Sequence, residues 1–205
     1  MPRSTKTPPK SKSAASAKTA AAKPNTSSPA SKPKPAAAGA DAIAMLEADH
    51  REVEQLFAEF EEATADARKR DLAIAICVAL KVHARLEEEL FYPAAFDVLD
   101  DKSLIAEAQV EHASAKDLIA QIEAGAPGEA LFDARVNVLA EYIDHHVTEE
   151  EEEIFPQCRK SKLDLVRLGA IMALRKQELM AGFRSRIPFS LFPDLEQRLE
   201  HHRGT

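Results

Sequence analysis

Apolar residues recur at helical intervals from Asp41 onward. Ile43, Leu46, His50, Val53, Phe57 and Phe60 step by three and four and form one continuous face. A second helix is predicted from about Lys69 to Tyr92, presenting Ile76, Leu80, His83, Glu87 and Leu90, with Pro93 expected to end it. Residues 94–102 read as a connection. A third helix opens near Ser103, an N-cap residue type with Glu107 close by, and presents Ile105, Ala108, His112, Ala115, Ile119 and Ile122. Gly125-Ala126-Pro127-Gly128 stops it. A fourth runs from about Glu129 to Phe155. A fifth, at roughly 162–185, carries Leu165, Leu168, Met172 and Leu179. Beyond it, Pro188 and Pro193 leave room only for a short helix before His201-His202.

The first four helices contain an internal repeat. Helices one and three superpose with His50 on His112, and helices two and four with His83 on His146, Glu87 on Glu150 and Pro93 on Pro156. Two similar hairpins with a short connection predict an all-α fold: an antiparallel up-down four-helix bundle, each hairpin giving half of a shared site, with an added C-terminal helix.

Composition separates a tail from this body. Residues 1–40 hold Arg3, seven lysines, seven prolines and no acid, a charge of +8, and Met1 is their one large apolar residue. Such a segment cannot bury enough surface to offset its ordering entropy, so it is expected to be disordered. It lacks the apolar stretch of a signal peptide. The rest of the chain holds 19 bases against 34 acids, a net of −15. An acidic body argues against nucleic-acid binding there, whereas the basic tail suits contact with nucleic acid or an acidic partner. Cys77 and Cys158 are the only cysteines, too few for a disulfide scaffold, and fit a reducing cytoplasm. No apolar run reaches the roughly 20 residues of a membrane span. The expected organisation is a tail at 1–40, a helical domain at 41–185 and a short extension at 186–205.

Candidate chemistry lies on the inner faces. Val82-His83-Ala84-Arg85-Leu86-Glu87 and His145-His146-Val147-Thr148-Glu149-Glu150 both contain H-x-x-x-E, which puts imidazole and carboxylate on one helix face. In the second copy His145/Glu149 and His146/Glu150 both satisfy the spacing. Periodicity favours the latter, because Leu139, Ile143 and Ile154 share the stripe of His146, and Val82 aligns with His145. The inward polar set is therefore His50, His83, Glu87, His112, His146 and Glu150. Two buried carboxylates need compensating cations, which neutral imidazoles cannot supply. The set is read as a metal site suited to iron, manganese or zinc, with two ions bridged by Glu87 and Glu150 fitting six protein ligands better than one. The paired Glu-x-x-His of ferritin-like bundles is matched only by Glu47/His50, and H-E-x-x-H is absent.

The order H…HxxxE…H…HxxxE resembles the hemerythrin-like (HHE cation-binding) family. The matching phrases are Asp49-His50, His83-x-x-x-Glu87 with Phe91-Tyr92-Pro93, Glu111-His112, and His146-x-x-x-Glu150 with Ile154-Phe155-Pro156, across about 41–185. The resemblance implies a non-haem di-iron centre that meets O2, peroxide or NO, with His50 and His83 on one iron, His112 and His146 on the other, and Glu87 and Glu150 bridging. One departure stands out: oxygen carriers of the family have a further histidine one turn after the third, where this chain has Lys116. They also place the last carboxylate five residues after its histidine, where this chain has Glu151 beside Glu150. An extra open position argues against simple O2 transport and for sensing, stress chemistry or iron handling. The alternative is a metal-stabilised interaction module whose tail binds a partner.

Lesser expectations follow from position. Tyr142, one turn before His146, is a candidate hydrogen-bond donor to the site. Lys116 is a candidate partner of Glu54 at the bundle mouth. Phe57, Phe60, Phe91 and Ile119 are read as core that limits water access. Glu151–Glu153 are read as a solvated face, with Glu151 a reserve ligand. The sequence offers no nucleophile and no substrate pocket that would assign catalysis.

Overall fold

The computed structural model describes residues 41–184, so the expected tail, the short extension and the helix before His201-His202 lie outside the described residues. Within them the chain is helical and contains no strand. The elements are α1 (Ala42–Glu62), α2 (Asp66–Leu86), a π-helical turn (Glu87–Phe91), α3 (Tyr92–Phe96), α4 (Ser103–Ala124), α5 (Phe132–Glu149), a second π turn (Glu150–Ile154), α6 (Phe155–Lys160) and α7 (Leu165–Arg184). α1, α2, α4 and α5 close a ring in which each packs on its two neighbours, and α7 lies against α1 and α2. This is the predicted bundle of two hairpins plus a C-terminal helix.

Local chemistry accounts for the ends. Asp41 caps α1 by accepting from the Ala44 N–H at 2.8 Å. Asp164 caps α7 by accepting from the Arg167 N–H at 3.0 Å. Ser103 is the first helical residue of α4 rather than its cap, because Asp101 accepts from both its N–H and its hydroxyl. Gly128, at φ 87°, holds the left-handed conformation that turns the chain towards α5 and that a Cβ would strain. α5 consequently starts at Phe132, not at Glu129.

Pro93 does not end the second helix as expected, and Pro156 behaves alike. Leu86, Glu87, Phe91 and Tyr92 all keep right-handed helical dihedrals. The π turns explain this. The Tyr92 N–H bonds the Glu87 carbonyl and the Phe155 N–H the Glu150 carbonyl, five residues back. Each insertion restarts the helix so that the proline sits in a first turn, where no amide hydrogen is needed. It also shifts the buried face by one residue. Phe91 and Tyr92 are buried and Leu90 only half so; Ile154 and Phe155 repeat the pattern. In α1, Leu56 is buried and Phe57 only half-buried.

The core forms two apolar clusters. One gathers Ile43, Leu46, Leu86, Phe91, Ile154, Phe155 and Met172; the other Val53, Phe60, Ile76, Leu80, Ile119 and Leu139. On each helix of the ring the inner histidine lies between residues of the two clusters, as His50 does between Leu46 and Val53. A polar layer thus cuts an otherwise dry bundle.

Candidate metal centre

The layer contains all six predicted residues. His50 comes from α1, His83 from α2, His112 from α4 and His146 from α5, while Glu87 and Glu150 open the two π turns. All are buried, and both carboxylates have no exposed surface. Nε2 of His50 lies 3.1 Å from Nε2 of His83, and Nε2 of His112 lies 3.1 Å from Nε2 of His146. Glu87 spans the two pairs, with Oε1 3.1 Å from His83 Nε2 and Oε2 3.4 Å from His112 Nε2. Glu150 Oε2 is 3.3 Å from His50 Nε2 and 3.7 Å from His146 Nε2. Two donor sets result, His50/His83/Glu87/Glu150 and Glu87/His112/His146, and Glu87 belongs to both.

Bond-making here is incomplete without a cation. Both oxygens of Glu87 and Oε2 of Glu150 are buried and have no hydrogen-bond partner. Leaving such groups unpaired is costly. The nitrogen separations suit a shared ion: two metal–nitrogen bonds of about 2.1 Å at a right angle place the nitrogens about 3.0 Å apart. In the metal-free chain the missing positive charge falls to a proton. Burial opposes it, but the carboxylates of Glu87 and Asp49 push His83 up to about 10. Burial likewise opposes, and His83 and His112 outweigh it, in holding Glu87 well below the usual carboxylate range. A metal ion would take over the role of that proton.

A second layer of carboxylates was not anticipated. Glu151 accepts from His50 Nδ1 at 2.8 Å, Glu88 from His112 Nδ1 at 3.0 Å and Glu111 from His146 Nδ1 at 2.7 Å. Asp49 faces His83 Nδ1 at 3.7 Å, too long for a hydrogen bond and close enough for charge to act. Donation from Nδ1 fixes the ring and leaves Nε2 as the inward ligand atom. The layer obeys the repeat, since Asp49 superposes on Glu111 and Glu88 on Glu151. That equivalence was the available signal. Cations hold the layer from outside: Lys116 binds Glu88, Arg51 binds Glu151, and Lys176 of α7 binds Asp49.

Several lesser expectations are corrected. Tyr142 is 42% exposed, one position off the stripe through Leu139, Ile143 and His146, and is no donor to the site. Tyr92 takes that place. Its hydroxyl donates to Glu150 Oε1 at 2.9 Å and lies 3.2 Å from His112 Nε2. Burial and the carboxylates of Glu150 and Glu87 raise its pKa well above the usual value, so it stays a phenol in the metal-free chain. Phe155, its repeat partner, stacks on His50 at 5.8 Å instead. Lys116 pairs with Glu88, not with Glu54, which pairs with Arg51. Glu151 is not a solvated bystander but the partner of His50. Cys77 and Cys158 are buried free thiols.

Beside the imidazoles lies a cavity of about 30 Å³, walled by Val53, Leu80, Ala115, Ile119 and Ile143. It has room for about two or three water-sized molecules, since about 10–15 Å³ of such space holds one water. Lys81 and Lys116 also border it.

Comparison with known proteins agrees with this architecture. The model of the Hemerythrin HHE cation binding domain matches residues 41–158. A solved structure of a Hemerythrin HHE cation binding domain-containing protein from Mycobacterium kansasii superposes with a TM-score of 0.61 at 24% identity, over 70% of this chain and 89% of that one. At that identity the likeness speaks for the fold alone. A DNA nickase from Nostoc sp. is 29% identical over 117 residues, 57% of this chain. The match spans 33% of the nickase, so about two thirds of that relative has no counterpart here.

Proposed function

The chain belongs to the hemerythrin HHE cation-binding family, and on that premise we propose that it holds two non-haem iron ions bridged by Glu87 and Glu150. His50 and His83 would hold one ion, and His112 and His146 the other. The observation that carries the reading is the set of orphaned buried oxygens on Glu87 and Glu150, ringed by four inward Nε2 atoms. Bound iron would supply the redox chemistry and the open coordination that O2, NO or peroxide requires.

The protein's own groups do the rest. Glu151, Glu88 and Glu111 orient His50, His112 and His146 through Nδ1, and Asp49 faces His83 as a charge. Apolar side chains of both clusters keep bulk water from the layer. The cavity beside the histidines has room for a diatomic molecule or peroxide. Tyr92 offers a hydroxyl on the His112 side, where the chain has Lys116 in place of a further histidine. That supports sensing, stress defence or iron handling over reversible oxygen carriage. The buried free thiols agree with a cytoplasmic setting. No described helix is long and apolar enough to cross a membrane.

Metal analysis with absorption spectra before and after O2, H2O2 and NO tests this. About two irons per chain and ligand-dependent bands of a bridged centre are expected; one zinc and no iron overturns it. A second reading, contact of the tail with nucleic acid, rests on the +8 charge of residues 1–40 and the nickase relative. Salt-sensitive DNA retention that disappears on deleting residues 1–40 supports it. Equal retention of the truncated chain removes it.

A further inference from the structure

The two halves treat one carboxylate of the outer layer differently. Asp49 turns Oδ2 towards His83 and Oδ1 outward to the ammonium of Lys176, which α7 lays over the first half. Its repeat partner Glu111 likewise turns Oε2 inward to His146 Nδ1, while Oε1 points outward. In the first half the neighbouring positions are Val82 and Leu86, at most 1% exposed. Their repeat partners are His145 and Glu149, on the half that α7 leaves uncovered. His145 Nε2 lies 3.7 Å from Glu111 Oε1 and 3.3 Å from Glu149 Oε1. Among the described residues no lysine or arginine ion-pairs with Glu111 or Glu149.

We propose that Glu111, His145 and Glu149 bind a divalent transition-metal ion at the surface, in the role that Lys176 plays opposite. Two observations converge. Three ligand atoms of the right chemistry lie within 4.8 Å of one another. Independently, the repeat-equivalent carboxylate has a cation on its outer oxygen. One imidazole and two carboxylates favour Zn2+, Fe2+ or Mn2+ over Ca2+ or Mg2+, which take all-oxygen sets. His145 is 65% exposed on its side chain, so water completes the shell and the ion exchanges freely. The ion sits one residue from the buried layer: Glu111 would hold it with one oxygen and His146 with the other. The overlapping H-x-x-x-E phrases of the acid run are then two sites, His146/Glu150 inside and His145/Glu149 outside.

The test titrates the full chain, as isolated and with its buried metal already quantified, with Zn2+ against a chromophoric zinc indicator. One equivalent beyond the buried metal is expected. His145→Ala and, separately, Glu149→Gln should weaken that equivalent at least about tenfold while buried iron content stays as in the wild type. Absence of the extra equivalent in the wild type overturns the proposal. So does equal binding by His145→Ala, which would place the ion on the exposed Glu152/Glu153 instead. Because buried metal is measured separately, failure here is distinct from failure of the di-iron reading.

Discussion

Among the described residues Lys176 is the one ammonium that ion-pairs with Asp49, and Lys176→Met removes it. Asp49 is 8% exposed, and burial by itself would raise its pKa; the Lys176 ammonium and the His83 imidazole together outweigh burial and hold the carboxyl below its usual value. Removing one partner of a buried ion pair costs about 3–5 kcal/mol when nothing else compensates the charge. The Lys176 side chain keeps 20% exposure and His83 still faces Asp49, so screening and that second cation bring the expected loss to about 2–3 kcal/mol. Urea unfolding of the full metal-free chain, followed by far-UV circular dichroism, measures it. The sign with pH follows from the lowered pKa. The stabilisation is fully present above the unfolded carboxylate value of 3.8 and is lost as pH falls below it. In the variant only His83 still opposes burial, so Asp49 takes up its proton at higher pH than in the wild type. The gap between wild type and variant is therefore widest near pH 7 and narrows towards about pH 4. Adding Asp49→Asn to Lys176→Met should restore most of the loss, since replacing both members of a buried pair is often near neutral. A gap under about 0.5 kcal/mol at pH 7, or one that does not change with pH, refutes the reasoning.

Other outcomes follow from the same geometry. His146→Ala should lower iron content and His145→Ala should leave the buried iron intact; equal behaviour of the two means that the helical phase of α5 is wrong. Tyr92→Phe removes a hydrogen bond to a carboxylate worth about 1.5–3 kcal/mol, so iron affinity should drop roughly ten- to hundredfold. The repeat partner Phe155 shows that a phenyl ring fits there, and unchanged affinity would show the hydroxyl to be idle. Burial pushes the thiols of Cys77 and Cys158 up to about 12 and about 11. Neither should react with a maleimide in the folded chain at pH 8, and both should in urea; rapid labelling of the native protein contradicts the burial.

The helices and the six inward polar residues were legible in the sequence because each depends on neighbours one or two turns away, and the repeat because the ligand positions of the two halves match residue for residue. Spacing of three and four fixes which side chains share a face. The choice of His146 over His145 needed only the stripe through Leu139 and Ile143. The outer carboxylates were not legible as such. Glu151 reaches His50 across 101 residues and Glu88 reaches His112 across 24, and such crossings depend on how helices pack. The exchange of Tyr142 for Tyr92 has a different cause. Periodicity assumes a constant turn, and each π insertion adds a residue that rotates Tyr92 and Phe155 inward and lets the helix pass its proline. Lys176 comes from a helix outside the repeat, so no internal comparison could pair it with Asp49. Local sequence thus determined which residues face the bundle axis, and only tertiary packing decided which charges hold them there, because that depends on contacts between segments far apart in the chain.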